Sequence, residues 1–233
     1  MDLDGIIALK RELWTLPEGP SAPPVQRHRP LRPGRFTAAV NGREVGIVAE
    51  AGTVALAYEF GGAAAVSVPA DELVLGGGPE LVRRVAGAVD VPVLFADVVV
   101  DVRQVDMAYA AGADAVLVLV RALDHAELAD ILAVAEGLGL DCLVSTVDEE
   151  DVERALDAGA SLIGLTHDSL WLRALVPAGV PVVMESEVQH RGDVERAAGM
   201  GFTGCVLGPL SLLGRDPAAA VRRLTGVPTR AAV

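Results

Sequence analysis

A single (β/α)8 barrel with an extra N-terminal helix is the fold class this sequence predicts, and three observations carry it. One join recurs along the chain: a helix ends at glycine, and an apolar, β-rich run starts within a few residues. Glycine suits the left-handed residue that closes a helix, and a Val/Leu/Ile run suits a strand buried on both faces. Eight such runs can be counted, and the spacers between them read as amphipathic helices. Eight alternating units of this size close into a barrel; a doubly wound open sheet is the alternative.

Taken in order, the elements begin with a helix over about 3–15. The Pro/Arg-rich "LPEGPSAPPVQRHRPLRPGRF" (16–36) follows as an extended crossing loop, and its "RHRPLRPGRF" offers a partial cover for the barrel opening. The strands are "EVGIVAE" (44–50), "GGAAAVSV" (61–68), "VPVLFADV" (91–98), "AGADAVLVLV" (111–120), "LDCLVST" (140–146), "GASLIGL" (159–165), "VPVVMES" (180–186) and "GMGFTGCVLG" (199–208). Helices are clearest in "DHAELADILAVAEGLG" (124–139) and in "DEEDVERALDAG" (148–159), which Asp148 can cap. The last helix opens with "RDPAAAVRRL", where Asp216 is a good cap and Pro217 fits the first helical position. No linker splits the chain, so one domain is expected: 1–43 the helix and crossing loop, 44–226 the barrel, 227–233 a tail.

Composition narrows the partners. The 233 residues are 52% hydrophobic but only 3% aromatic, so the core is built of small aliphatic units. A net charge of −13 argues against nucleic acid or an anionic membrane as partner. The start "MDLDGIIALKRELW" lacks the pattern of a signal peptide, and no apolar run is long enough to span a bilayer. Cys142 and Cys205 sit inside strands, as buried free thiols in a cytoplasmic protein would. Lys10 is the only lysine, so no lysine beyond the N-terminal segment is available as an acid or a phosphate ligand.

In such barrels the working face is the ring of loops after the strands. The residues there are Glu50; Ser67 and Asp71; Asp97; Arg121; Ser145 and Thr146; Thr166, His167 and Asp168; Glu185, Ser186 and Glu187; and Gly208. Glu50 and Glu185 end apolar strands and should be partly buried. Crowded carboxylates raise one another's proton affinity, so an acid and a base can coexist near neutral pH. His167 and Asp97 are further candidates for proton transfer. Arg121 is the best-placed cation, and Ser145, Thr166, Ser186 and Glu187 are candidate substrate contacts. Helix caps or solvated loop charges account equally well for Asp71, Asp168 and Glu187. No ligand motif of fixed spacing appears, so neither metal nor cofactor is expected.

These residues resemble a known family. "LDGIIALKRELWTLP", "VAEAG", "YEFGGAAAVSVPADELVLGGGPELV", "VPVLFADVVVDVRQVDMAYAAGADAVLVLVRALD", "LGLDCLVSTVDEEDVERALDAGASLIGLTHDSL", "VVMESEVQHRGDV" and "LGPLSLLGRDPAAAVRRL" are together similar to indole-3-glycerol phosphate synthase, the TIM barrel of tryptophan biosynthesis. The resemblance implies a ring closure with loss of carbon dioxide and water. It implies lysines at the ends of strands one and three, glutamates at strands one and five and an asparagine at strand six. Loops seven and eight would hold the substrate phosphate.

Here Glu50, Glu185 and Ser186 match that pattern, and other positions depart from it. Gly52 and Ala96 stand where the lysines are implied, Ser145 for the strand-five glutamate, and Thr166-His167-Asp168 for the strand-six run. Glu187 replaces the phosphate-cradling glycine and Leu210 the phosphate-binding serine. On these residues the expectation is a barrel repurposed in specialised metabolism. It would be a lyase, dehydratase or cyclase for a non-phosphorylated substrate, a carboxylate held by Arg121 being one candidate. A non-catalytic barrel binding a ligand or protein partner is the alternative, and the parent activity a third reading.

Overall fold

The structure is a computed structural model and describes residues 2–16, 25, 27, 30–51, 54–72, 76–185, 188–208 and 216–229. Eight parallel strands pair in chain order: β1 Gly46–Glu50, β2 Ala65–Pro69, β3 Val93–Ala96, β4 Ala115–Leu119, β5 Asp141–Thr146, β6 Ile163–Thr166, β7 Val182–Glu185 and β8 Gly204–Leu207. β8 pairs back onto β1, and the barrel is closed. The helices are α1 Leu3–Thr15, α2 Arg35–Val40, α3 Ala55–Phe60, α4 Pro79–Ala88, α5 Val102–Ala111, α6 His125–Leu138, α7 Glu149–Asp157, α8 Arg191–Met200 and α9 Pro217–Arg222. The open-sheet alternative is thereby excluded. None of the described helices is long and apolar enough to cross a membrane.

The joins follow the expected chemistry. Gly112 and Gly201 close α5 and α8 at φ 90° and 89°, where a Cβ would be strained. Asp148 accepts from the Asp151 amide and Asp216 from the Ala219 amide, each capping its helix. One unit departs from the alternation. Between β6 and β7 the chain forms a 3₁₀ segment, His167–Ala174, instead of an α-helix, and Pro177 and Gly179 follow before the next strand.

Side chains alternate along each strand between the barrel interior and the helical layer. Val48, Ala65, Leu94, Ala115, Leu143, Leu162 and Val183 fill the interior, and Phe36 and Val40 of α2 plug it from below. Gly46 permits this plug, because a Cβ there would lie 2.7 Å from Val40 Cα. The crossing segment is fastened at this same lower end. Arg27 donates to the Tyr109 and Ala113 carbonyls at 3.1 and 2.9 Å, and Arg35 pairs with Asp114 at 3.2 Å. Asp114 also accepts from the Val93 amide at the start of β3, at 2.9 Å. Its described part therefore lies opposite the mouth. The cover suggested for "RHRPLRPGRF" is not supplied by these residues.

The element over the mouth side is α1. Its stripe Ile6, Ile7, Lys10, Leu13 and Trp14 faces the barrel. Arg11 pairs with Glu127 at 2.7 Å, and the Arg103 guanidinium lies 5.1 Å from the Trp14 ring centroid. At the centre of the stripe Lys10 pairs with Asp71 and, at 2.7 Å, with Asp97, all three being buried. The lone lysine thus ties α1 to the loops after β2 and β3.

Candidate active site

At the C-terminal mouth the interior ends in a cavity of about 380 Å³. Leu94, Leu117, Leu143 and Val206 form its floor, and Glu50, Ser67, Ala96, Glu185 and Gly208 form its wall. All of these belong to the inward-facing set. The period of two explains why: Leu94 and Ala96 point in, so Asp97 points out.

Glu185 is the most constrained polar group of the wall. Its Oε2 accepts a hydrogen bond from Ser145 Oγ at 2.7 Å, while Oε1 is sealed from solvent with no hydrogen-bond partner among the described residues. Burial pushes its carboxyl up to about 7, against the lowering effect of Ser145. The space it occupies exists because β6 carries a glycine beside it. A Cβ at Gly164 would lie 1.9 Å from Glu185 Oε1 and 2.7 Å from its Cδ. Glu50, half-buried on the same cavity wall with β8 between its strand and that of Glu185, is also raised by burial. Two carboxyls with elevated proton affinity therefore share one apolar chamber, and among the described residues no Lys or Arg lines it.

Gly164→Ala is accordingly expected to drive the Glu185 carboxyl out of its socket and cost about 1–3 kcal/mol by overpacking. Gly137→Ala, in α6 with nothing within 4 Å of the new Cβ, is expected to stabilise by about 0.5–1 kcal/mol. Urea unfolding of the two variants reads both signs.

Other predicted residues are placed elsewhere. Asp97 is buried in the helical layer, where it holds Lys10 and accepts from Gln104 Nε2 at 2.8 Å. Its proton affinity is raised by burial, and Lys10 and Gln104 oppose that rise. Arg121 pairs with Asp4 of α1 at 2.9 Å and does not line the cavity. Thr166 ends β6 on the inward side, with its Oγ1 3.1 Å from Ser169 Oγ. Thr146 is buried and donates to the Gly164 carbonyl at 3.1 Å. Ser186, Glu187, Gly52, Leu210 and the side chain of His167 lie outside the described residues. Among those residues, no group of three or more His, Cys, Asp or Glu side chains is arranged to hold a metal.

Two residues that shape this end of the barrel carry no strand-end signature. Lys10 is signalled only by its place in an apolar helical stripe, and Gly164 only by its neighbour across the sheet. Both cysteines are free, Cys205 buried as expected and Cys142 only half-buried, and the desolvation each meets pushes its thiol up to about 12.

Comparison with known proteins bears on what this chamber does. Among solved structures, 3-hexulose-6-phosphate synthase from Salmonella typhimurium superposes with a TM-score of 0.65 at 14% identity, covering 77% of this chain and 96% of that one. N-(5'-phosphoribosyl)anthranilate isomerase from Pyrococcus furiosus gives 0.59 at 17%, covering 76% and 96%. At such identities they bear out the barrel and nothing finer.

Sequence relatives go further. An indole-3-glycerol phosphate synthase from Parafrankia sp. is 39% identical over 181 residues, 73% of this chain and 68% of that protein. Its namesake from Nocardioides sp. is 40% identical over 185 residues, 75% and 71%, and a second one from Streptomyces coelicolor is 38% identical over 184 residues, 74% and 71%. This overturns the expectation of a barrel repurposed for a non-phosphorylated substrate. That expectation weighed a few strand-end substitutions above the likeness of the whole barrel. With the indole-3-glycerol phosphate synthase model matching residues 44–224, from the first strand through the last helix, the chain belongs to that family.

Proposed function

We propose that this protein is a lyase of tryptophan biosynthesis that forms indole-3-glycerol phosphate, by a ring closure that releases carbon dioxide and water in the cytoplasm. One observation carries the reading. The barrel is 38–40% identical to enzymes of that name, and its mouth keeps two carboxyls, Glu50 and Glu185, poised in an apolar chamber.

Ring closure with dehydration needs a proton delivered to one oxygen and another removed from carbon or nitrogen. A carboxyl held near 7 can do either at neutral pH. Glu185, oriented by Ser145, is the proton carrier in this reading, and Glu50 in the same cavity is the second acid–base group. Thr166, His167, Ser186 and Glu187 would border the substrate, while Asp97 and Arg121 serve to hold α1. The free thiols of Cys142 and Cys205 accord with a reducing compartment.

The test is direct. Purified protein supplied with the ring-open precursor should release indole-3-glycerol phosphate, detected by chromatography. Glu50→Gln should slow it by a factor of about 10²–10⁴. Ala96 lines the cavity where the resemblance implies a lysine. Ala96→Lys, which sets an ammonium beside both carboxyls, is expected to raise turnover about 10²-fold. Absence of product from folded protein and from its Ala96→Lys variant alike would overturn the reading.

A further inference from the structure

The 3₁₀ path between β6 and β7 leaves a cleft of about 890 Å³ on the lower side of the barrel, remote from the mouth. Its walls include Trp171, Leu175, Val180, Met200 and Phe202, with Arg173 among them. Trp171, Leu175 and Met200 are 59%, 48% and 45% exposed, a concentration of large apolar surface in a chain with two tryptophans.

The charge of this cleft runs against the rest of the molecule. The chain has 32 acidic residues and a net charge of −13, yet among the described residues no Asp or Glu lines the cleft. Arg173 is half-buried there and, among the described residues, donates only to carbonyls, Nε to Gly201 and Nη1 to Val176, both at 2.9 Å. No carboxylate pairs with it among the described residues, and burial disfavours its charged form. An uncompensated guanidinium on an apolar, aromatic wall is complementary to an anion with a flat apolar body. The carbonyl bonds hold the guanidinium plane in place, and Nη2 makes no hydrogen bond among the described residues, so it is left to donate to a carboxylate oxygen.

We propose that this lower cleft is a second ligand site, distinct from the mouth, that binds a small aromatic carboxylate through Arg173 and the Trp171 ring.

Benzoate, benzyl alcohol and benzamidine share one ring and differ in charge, so they serve as probes. Each is titrated against the full chain, with tryptophan fluorescence and ligand-observed NMR as readouts. Benzoate is expected to bind saturably and at least tenfold more tightly than benzamidine, and the fluorescence change should vanish in Trp171→Phe. Arg173→Met should abolish the preference for benzoate, while Arg173→Lys should keep part of it. Since Arg173 also ties two carbonyls, Trp171→Ala, an exposed position, provides an independent variant that should weaken benzoate at least threefold. Equal binding of benzoate and benzamidine overturns the proposal, as does wild-type benzoate affinity in Arg173→Met or in Trp171→Ala. None of these readouts depends on catalysis at the mouth.

Discussion

Lys10→Met is expected to cost about 3–5 kcal/mol of folding stability. Lys10 is 6% exposed, and its partners Asp71 and Asp97 are 2% and 5% exposed. Methionine fills much of the same volume, so the loss isolates charge from packing. What remains is two buried carboxylates without their ammonium. Burial already raises Asp97 against the opposing pull of Lys10, and removing Lys10 should raise it further. A carboxyl whose folded proton affinity exceeds its unfolded one stabilises at low pH, and that contribution is lost as pH rises through the folded value. The deficit of Lys10→Met should therefore be largest at pH 7 and above and shrink toward pH 5. Adding Asp97→Asn to Lys10→Met should recover part of it. Arg11→Met removes an ion pair to Glu127 that is 40% and 32% exposed, and should cost about 0–1 kcal/mol. Urea unfolding at the two pH values separates these outcomes. An equal loss at both would mean that Lys10 acts through packing alone.

The same cluster shows what a sequence can disclose about such a barrel. Strands and joins were legible because they obey local rules: glycine closing a helix, aspartate capping one, β-branched runs between them. The mouth was legible as a list of strand ends. The side on which each residue falls needed one further step. Counting by two from the interior Leu94 puts Ala96 in the chamber and Asp97 outside it, so Asp97 belongs with Lys10 rather than with Glu50. Lys10 itself was hidden by distance along the chain, since nothing near residue 10 announces the two aspartates that receive it. Gly164 was hidden for a different reason. Its role is a void, and a void is defined by the Glu185 side chain arriving from the next strand. The 3₁₀ turn after β6 was missed because a regular alternation invites a helix in every spacer. The functional expectation failed because departures at single positions, from Gly52 and Ala96 through Ser145 and Thr166-His167-Asp168 to Glu187 and Leu210, outweighed a family likeness that the whole barrel keeps.

Glu185→Gln is expected to lower turnover by a factor of about 10²–10⁴ and, in the same protein, to raise stability. Both effects come from one physical fact: a carboxyl has been placed where its charged form is poorly solvated. The amide oxygen of glutamine can still accept from Ser145 Oγ, so the socket beside Gly164 stays filled. What disappears is the ionisation. With a folded value near 7 against an ordinary 4.5, the native state holds its proton more tightly than the unfolded chain does. Relative to glutamine, Glu185 thus costs little below pH 4.5, and the cost grows through the interval up to about 7. Above that it levels off at no more than about 3 kcal/mol, the full shift converted at 1.36 kcal/mol per unit. Unfolding of wild type and variant across pH 4–9 should give curves that meet at the acid end and separate at the alkaline end. A group that weakens the fold at working pH persists where its proton is used, the usual trade between stability and activity at a catalytic position. A Gln variant that keeps its turnover, or gains no stability above pH 7, removes Glu185 from the chemistry and leaves Glu50 to carry the proton alone.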